Sequence, residues 1–539
     1  MDAAGQAASR DSASAAVPAA AAPAAPATST APTTSTSAPA AASPAPKPQF
    51  DVHEYRVLGN TVLPNRDIEV VLYPLLGDHK TIDDVQAARA ALEKLYHDRG
   101  YATVFVDIPE QDVTREIVRL KVTEGRLNSV RIAGARYFSE GRILAALPAA
   151  TPGEVPNLGE LQKQLTEVNV QSADRSIVPV LKAGPIPGTV DMALNVSDHL
   201  PVHGSLEVNN QYTPDTRVLR AIGTLSYNNL FQEFDTLSAQ YQAAPQQINQ
   251  VNVLAINYAF GTPVLGLHPS MYFINSNSNV PSIGTTGVLG KGQIYGARLS
   301  IPLDQAPIAA QSIVFGADYK HFRETIGQID GQLITPISYV NLSLGYNGFW
   351  SSDKLQYSLG ATGNFGPRGI PNNSLTFANK RYQGRSNYSY LKINTSLTAK
   401  LPWGFQMLLR GDAQFAPDAL ITNEQYSITG ADGVRGYLEA EILSDTGMKG
   451  TVQLQSPFWT WGKRTLGDMF VFYDLGRADV LDALERQPQY AELRSWGAGF
   501  HVLPGLPVNG LLTWTNPLVD APYTGRGQWR VLFVIRGAF

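Results

Sequence analysis

Cysteine is missing from all 539 residues. Disulfides and thiolate metal sites are therefore excluded, and the absence suits a chain that crosses an oxidising compartment unfolded. Charge is also scarce, at 16% of residues, yet the mean hydropathy is only -0.12. No run of about eighteen apolar residues occurs, so there is no transmembrane helix. A chain of this profile that enters a membrane has to do so as a closed β-barrel, whose backbone groups pair between strands and whose strands need only alternating apolar residues. The net charge of -4 leaves no electrostatic footprint for nucleic acid. Catalytic signatures are missing too: there is no glycine-rich phosphate loop, no paired-histidine zinc motif and no Gly-x-Ser-x-Gly elbow. The eight histidines are scattered, and His53, His199 and His203 read as solvated rather than as ligands. No enzymatic activity, cofactor or metal is expected. At the start, Met1-Asp2-Ala3 lacks the basic region and apolar core of a secretory signal peptide. The strand pattern described below favours a signal that was removed over a chain that is not exported.

At this length several structural units are expected. Residues 12–46 carry no charge and are mostly Ala, Pro, Ser and Thr. Proline recurs too often for a helix interior and little apolar volume is available to pack. Residues 1–48 therefore read as a disordered or polyproline-like spacer.

Residues 49–124 run strand, helix, helix, strand, strand. Residues 53–58 alternate and end at the turn pair Gly59-Asn60. Pro64 can open a first helix through Ile68, Val71 and Leu72. Thr81 is placed to cap a second, with Asp84 three residues on. Val85, Ala88, Leu92 and Leu95 form that helix's inward stripe, and Gly100 ends it in the left-handed position. Strands follow at 102–108 and 116–122. Residues 125–198 repeat the plan more weakly. A strand at 127–132 precedes a short helix carrying Tyr137, Ile143, Leu144 and Leu147. A longer helix carries Leu158, Leu161, Leu165 and Val168, and strands at 177–181 and 190–196 flank Pro185-Ile186-Pro187-Gly188. Units of about 75 residues bury little surface alone and gain from a neighbour.

From residue 199 to the end the pattern changes to period two. Alternating segments at 206–212, 218–227, 234–241, 251–260, 271–274, 293–301, 313–319, 337–346, 355–359, 390–397 and 405–415 precede a long insertion. Five more follow, at 450–454, 470–473, 496–502, 508–514 and 528–535. About sixteen strands, an even number, with polar alternates and aromatics at strand ends, predict an antiparallel transmembrane barrel. No blade-length repeat supports a propeller, and a sandwich does not need so many consecutive strands.

The insertion, residues 417–449, is too long for a structureless connection unless it is functional. It carries Gly433-Val434-Arg435-Gly436-Tyr437, then Asp445 and Gly447, and Phe472-Tyr473-Asp474-Leu475-Gly476 follows in a later strand. A guanidinium in a narrow lumen needs a planar acceptor, which a carboxylate supplies in a two-pronged bond. Gly433 and Gly436 allow close approach at the loop tip. The last strand ends on an aromatic, Phe539.

Two sets of motifs carry a resemblance. Arg99-Gly100-Tyr101, Pro109-Glu110-Gln111 and Val122-Thr123-Glu124-Gly125-Arg126 resemble a first POTRA (polypeptide-transport-associated) domain, and Asn169 with the 185–191 segment resembles a second. The insertion resembles the signature loop of two-partner secretion transporters, the haemolysin secretion/activation type, within the wider POTRA-plus-barrel superfamily. The resemblance covers all but residues 1–48, whose proline-rich composition departs from the family's plug helix. It implies an outer-membrane pore with periplasmic POTRA domains that receive an unfolded haemolysin- or adhesin-like exoprotein and pass it outward without nucleotide. It also implies that the loop motif Val434, Arg435, Gly436 and Tyr437 folds into the lumen, where Arg435 meets Asp474 of the wall motif Phe472, Asp474 and Gly476. Phe539 would be the signal read by the barrel-assembly machinery. The expected partners are the exoprotein, outer-membrane lipid and that machinery, with the transporter itself a monomer. The alternatives are a barrel assembly factor or insertase, which carries more POTRA units, and a passive porin-like channel, which lacks both repeats and clasp.

Overall fold

The computed structural model describes residues 48–539 apart from 114–115, 262–266, 279, 284–285, 289, 304–307, 329–330, 370, 462–463, 486 and 503–506. The spacer expected over residues 1–48 lies almost wholly outside the described residues. Two compact units emerge, one from residues 48–134, 143–168 and 177–196, the other from 135–142, 169–176 and 197–539.

In the first unit, helices Asn65–Leu72 and Ile82–Asp98 lie with a three-stranded sheet ordered Glu54–Leu58, Ile117–Glu124, Val104–Asp107. The first pair is parallel and the second antiparallel. Thr81 and Asp84 form a reciprocal capping box. The Thr81 N–H and hydroxyl donate to Asp84 at 2.7 and 2.8 Å and hold its carboxyl below the usual carboxylate range. Val85, Ala88, Leu92 and Tyr96 face the core beside Val104, Val118 and Leu120, so the periodic stripe packs as apolar spacing dictates. Strand Gly77–Lys80, not foreseen in the sequence, pairs with Phe50–Val52. A second sheet orders Arg126–Ala133, Thr189–Asp198, Arg175–Ala183. The helices following its first strand are Glu140–Ala145 and Leu158–Gln171. Of the four residues assigned to the short helix, Ile143 and Leu147 are buried, whereas Tyr137 and Leu144 are exposed. Tyr137 precedes the helix, and Leu144 follows Ile143 by one position, about 100° around the axis.

The second unit is a closed antiparallel barrel of sixteen strands, from Val202–Asn209 to Arg530–Ala538. The short run Trp459–Trp461 extends the twelfth strand, Thr446–Gln455, along the same neighbour. The last strand closes on the first from Val534 opposite Asn209 to Ala538 opposite Ser205. Beyond that register, Phe539 and Gly204 exchange backbone bonds at 3.0 and 3.2 Å.

Alternation sorts the wall into two faces. In the thirteenth strand, Arg464–Asp479, Val471, Tyr473 and Leu475 point outward and are exposed, whereas Phe470, Phe472 and Asp474 are buried on the inside. The seventh and eighth strands, Ala309–Gln328 and Gly331–Ser351, are about three times and twice as long as their alternation suggested. The hidden extensions include Lys-His-Phe-Arg-Glu-Thr at 320–325, which has no lipid-facing alternation to read. The twelfth strand begins at Thr446, so the insertion closes at Asp445 rather than at 449. In a sixteen-strand antiparallel barrel both ends of the chain leave at one rim. The connections after even-numbered strands share that rim, and the insertion, after the eleventh strand, lies at the other.

Candidate functional site

The insertion folds back against the inner wall. Its base is a short pairing of Tyr426–Ser427 with Leu443–Ser444, and its tip is 428–437. The Val434 N–H donates to the Ile428 carbonyl at 2.8 Å. Gly436 has φ +101, a left-handed geometry that glycine adopts without penalty. A side chain at Gly433 would sit 2.4 Å from the Ile428 carbonyl oxygen.

This turn aims Arg435 at the thirteenth strand. Its Nε donates to Asp474 Oδ2 at 2.8 Å, and its Nη2 donates to Oδ1 at 2.8 Å. The Arg435 backbone N–H adds a bond to Oδ2 at 3.0 Å. The Thr451 hydroxyl donates to Oδ1 at 2.8 Å, and Nη1 reaches Gln453 Oε1 at 3.1 Å. The guanidinium carbon lies 3.4 Å from the centre of the Phe472 ring. Asp474 is fully buried and the Arg435 side chain is 13% exposed. The remaining motif residues lie around this pair, with Gly436 beside Thr515 and Pro517. Val434 is buried against Gly476, where a Cβ would lie 2.7 Å from Val434 Cγ2. The Tyr437 hydroxyl lies 2.8 Å from the Val519 carbonyl and 3.1 Å from that of Arg494. Phe539 stands apart from this cluster, at the seam, and is exposed.

Two further buried ion pairs anchor the insertion. Near its start, Glu424 is buried and accepts from Lys320 Nζ at 2.6 Å, Tyr339 at 2.5 Å and Tyr390 at 2.6 Å. These partners come from the seventh, eighth and tenth strands, the last being Ser389–Lys400. At its end, Asp445 is fully buried and accepts from Arg381 Nη2 at 2.9 Å. Between them, Glu441 accepts from the Tyr523 N–H at 2.8 Å and the Thr524 hydroxyl at 2.7 Å, in the loop before the last strand. The Glu439 N–H donates to the Tyr212 carbonyl just after the first strand. The insertion is thus a strut fixed to walls on several sides of the lumen. Sequence reasoning found the Arg435 anchor. It quoted Asp445 without a partner and passed over Glu424. Among the described residues no cluster of three metal-ligating side chains occurs.

Comparison with known proteins agrees with this architecture. Residues 188–502 match the family model described as haemolysin secretion/activation protein ShlB/FhaC/HecB, and residues 50–125 match a ShlB-type POTRA domain. The outer membrane transporter CdiB of Escherichia coli O6:K15:H31 (strain 536 / UPEC) is 24% identical over 416 residues, covering 74% of this chain and 68% of that protein. Matches to two other CdiB proteins cover only 32% and 30% of their lengths. Among solved structures, CdiB from Escherichia coli superposes with a TM-score of 0.63 at 20% identity over 93% of both chains. BamA from Haemophilus ducreyi lacking POTRA domains 1-3 gives 0.56 at 11% identity, over 91% of this chain and all of that one. The structural likenesses speak to fold, and the family match spans more than half the chain. The protein belongs to the haemolysin secretion/activation (ShlB/FhaC/HecB) family and is an outer-membrane transporter of the two-partner secretion type, with its POTRA region in the periplasm.

Proposed function

We propose that this transporter receives one unfolded, β-rich exoprotein in the periplasm and passes it through the barrel lumen without nucleotide. Folding of the client outside would bias transit in one direction. The observation that carries this reading is Arg435, held from an inward-folded strut onto the buried Asp474 of the inner wall. Such a clasp positions the insertion across the route and can be given up when a client enters.

Recognition is assigned to residues 49–124 and 125–198 as two POTRA units, with 199–539 as the pore. Strand addition to an open sheet edge suits an unfolded client. One edge of the first sheet is already occupied. The Val106 N–H donates to Glu93 at 3.1 Å, Arg89 donates to the Val106 carbonyl at 3.2 Å, and His97 Nε2 lies 3.1 Å from the Val104 carbonyl. Side chains that take up an edge strand's backbone groups block further pairing. Glu54–Leu58, at the opposite edge, is the strand we assign to the client. Phe539 is assigned as the signal for barrel assembly.

The test co-expresses the transporter with its secreted partner. Arg435→Ala is expected to abolish export while the barrel still assembles, and removal of residues 49–198 is expected to leave a conducting pore that exports nothing. Undiminished secretion by the first variant would remove the clasp from the mechanism. Continued export by the second would remove the docking role.

A further inference from the structure

The connection between the ninth strand, Leu355–Phe365, and the tenth contains a helix that lies outside both the loop motif and the wall motif. Helix Ser374–Lys380 starts at Asn373, whose Oδ1 accepts from the Leu375 N–H at 2.9 Å. Its two faces differ sharply. Leu375 is 67% exposed and Phe377 is 1% exposed. The Phe377 ring lies 5.4 Å from that of Tyr339, edge to face, and 5.8 Å from that of Tyr388. Around it a buried cluster draws Val253, Ile274, Ile294 and Ile337 from separate strands of the wall and Leu420 and Ile421 from the insertion. A barrel lumen that conducts is polar and watery. Here one side of the wall instead meets a continuous apolar packing to which the helix contributes Phe377.

Polar contacts hold the helix in place. Asn372 is buried and bonds both backbone groups of Val340 in the eighth strand, accepting at 2.7 Å and donating at 3.0 Å. Just past the helix, Arg381 Nη2 donates to Asp445 Oδ2 at 2.9 Å and to the Leu481 carbonyl at 3.0 Å. Asp445 also accepts from the Leu420 and Leu481 N–H groups, at 3.0 and 2.8 Å, and from Gln425 Nε2 at 3.1 Å. One buried carboxylate therefore ties together the helical loop, both ends of the insertion and the loop after the thirteenth strand.

We propose that residues 371–388 form a second gate at the outer mouth of the pore, with Phe377 as its stopper and Asp445 as the positioning residue that couples it to the insertion. This gate is distinct from the Arg435–Asp474 clasp. It concerns the resting pore, so its test needs no client.

The chain has no cysteine, so single thiols can be read cleanly in the full-length protein. Phe377→Cys and Leu375→Cys are compared in outer membranes with a membrane-impermeant maleimide. Phe377→Cys is expected to react roughly tenfold more slowly or less, since its reaction waits on local opening. Adding Asp445→Ala should bring its rate towards that of Leu375→Cys. In planar bilayers, Phe377→Ala and replacement of residues 372–386 by a short Gly-Ser linker should each raise conductance several-fold, the linker more. Equal labelling of the two thiols in the parent background would overturn the gate. So would unchanged conductance on loop replacement. If Asp445→Ala leaves Phe377→Cys as protected as before, the coupling assigned to Asp445 is wrong. Retention of the compact barrel on unheated gels separates these outcomes from misfolding.

Discussion

Replacing Arg435 by alanine tests the clasp most directly. The variant loses two charged bonds to Asp474, one bond to Gln453 and the stacking on Phe472. Asp474 remains buried but keeps the Thr451 hydroxyl and the residue-435 N–H. Removing one partner of a buried pair costs about 3–5 kcal/mol, and the two surviving donors place this case near the lower end. About 3 kcal/mol is roughly a 150-fold change in the ratio of docked to undocked insertion. Val434→Cys reports that ratio, since Val434 is fully buried only while the insertion is docked. Its maleimide labelling should rise towards that factor in Arg435→Ala. Arg435→Lys should fall between, because lysine keeps the charge but not the planar fork or the stacking. Arg435→Ala combined with Asp474→Ala should label less than the two single effects predict together, since no unpaired charge is left buried. Unchanged labelling in Arg435→Ala, or strict additivity in the double variant, would refute the reasoning.

Three further outcomes are expected. Gly476→Val should undock the insertion tip without touching a charge, because its Cβ would lie 2.7 Å from Val434 Cγ2. Overpacking of this kind costs about 1–3 kcal/mol and is read by maleimide labelling of Ile428→Cys, a fully buried position at the same tip that leaves Val434 in place. In the periplasmic unit, His53 Nδ1 lies 2.7 Å from Glu116 and Nε2 lies 3.1 Å from Asp78, and the bond to Glu116 raises the imidazole above its ordinary 6.5. Stability from this contact is full below about pH 6.5 and is lost as the pH rises through the raised value. His53→Ala should therefore speed hydrogen exchange in Phe50–Val52 and Gly77–Lys80 more at about pH 5.5 than at about pH 8.5, and an equal effect at both would discount the pair. Deleting Phe539 removes the backbone bonds it exchanges with Gly204. It should reduce the amount of assembled barrel without altering the conductance of the barrels that do assemble, as measured by gel mobility and single-channel recording.

Much of the wall was legible because lipid and water impose opposite demands on successive residues. Val471, Tyr473 and Leu475 against Phe470, Phe472 and Asp474 is such a case. The signal fails wherever neither demand applies. The long hairpin of the seventh and eighth strands extends past its alternating part, so only its core was visible. Helix Ser374–Lys380 has seven residues, too few for a period of 3.6 to register. The clasp was legible through the resemblance of the insertion to the family's signature loop, which implies Asp474 of the Phe-x-Asp motif as the partner of Arg435. The anchors at Glu424 and Asp445 were not, because Lys320 lies 104 positions from its partner and Arg381 lies 64 from its own. Nothing local marks a carboxylate as awaiting a cation that distant.

The three anchors also bear on how a pore can be both shut and openable. A buried ion pair contributes little net stability, because the attraction roughly offsets the water that both ions lose. Withdrawal of the strut as one body would readmit water to Lys320 and Glu424, Arg435 and Asp474, and Arg381 and Asp445 together. No charge would be left dry and alone, so concerted release is inexpensive per pair. Opening any one contact while the others hold leaves a buried carboxylate without its cation, with only neutral donors around it. That cost is of the order of 3–5 kcal/mol, comparable to the lower end of a domain's whole folding free energy. Thermal fluctuation at a single anchor is therefore opposed, and the resting state is tight. On the export route proposed above, a client bringing water and its own backbone groups along the lumen would act on all the anchors at once. The arrangement discriminates by mode of opening rather than by strength of closure, which is what the export proposed above requires.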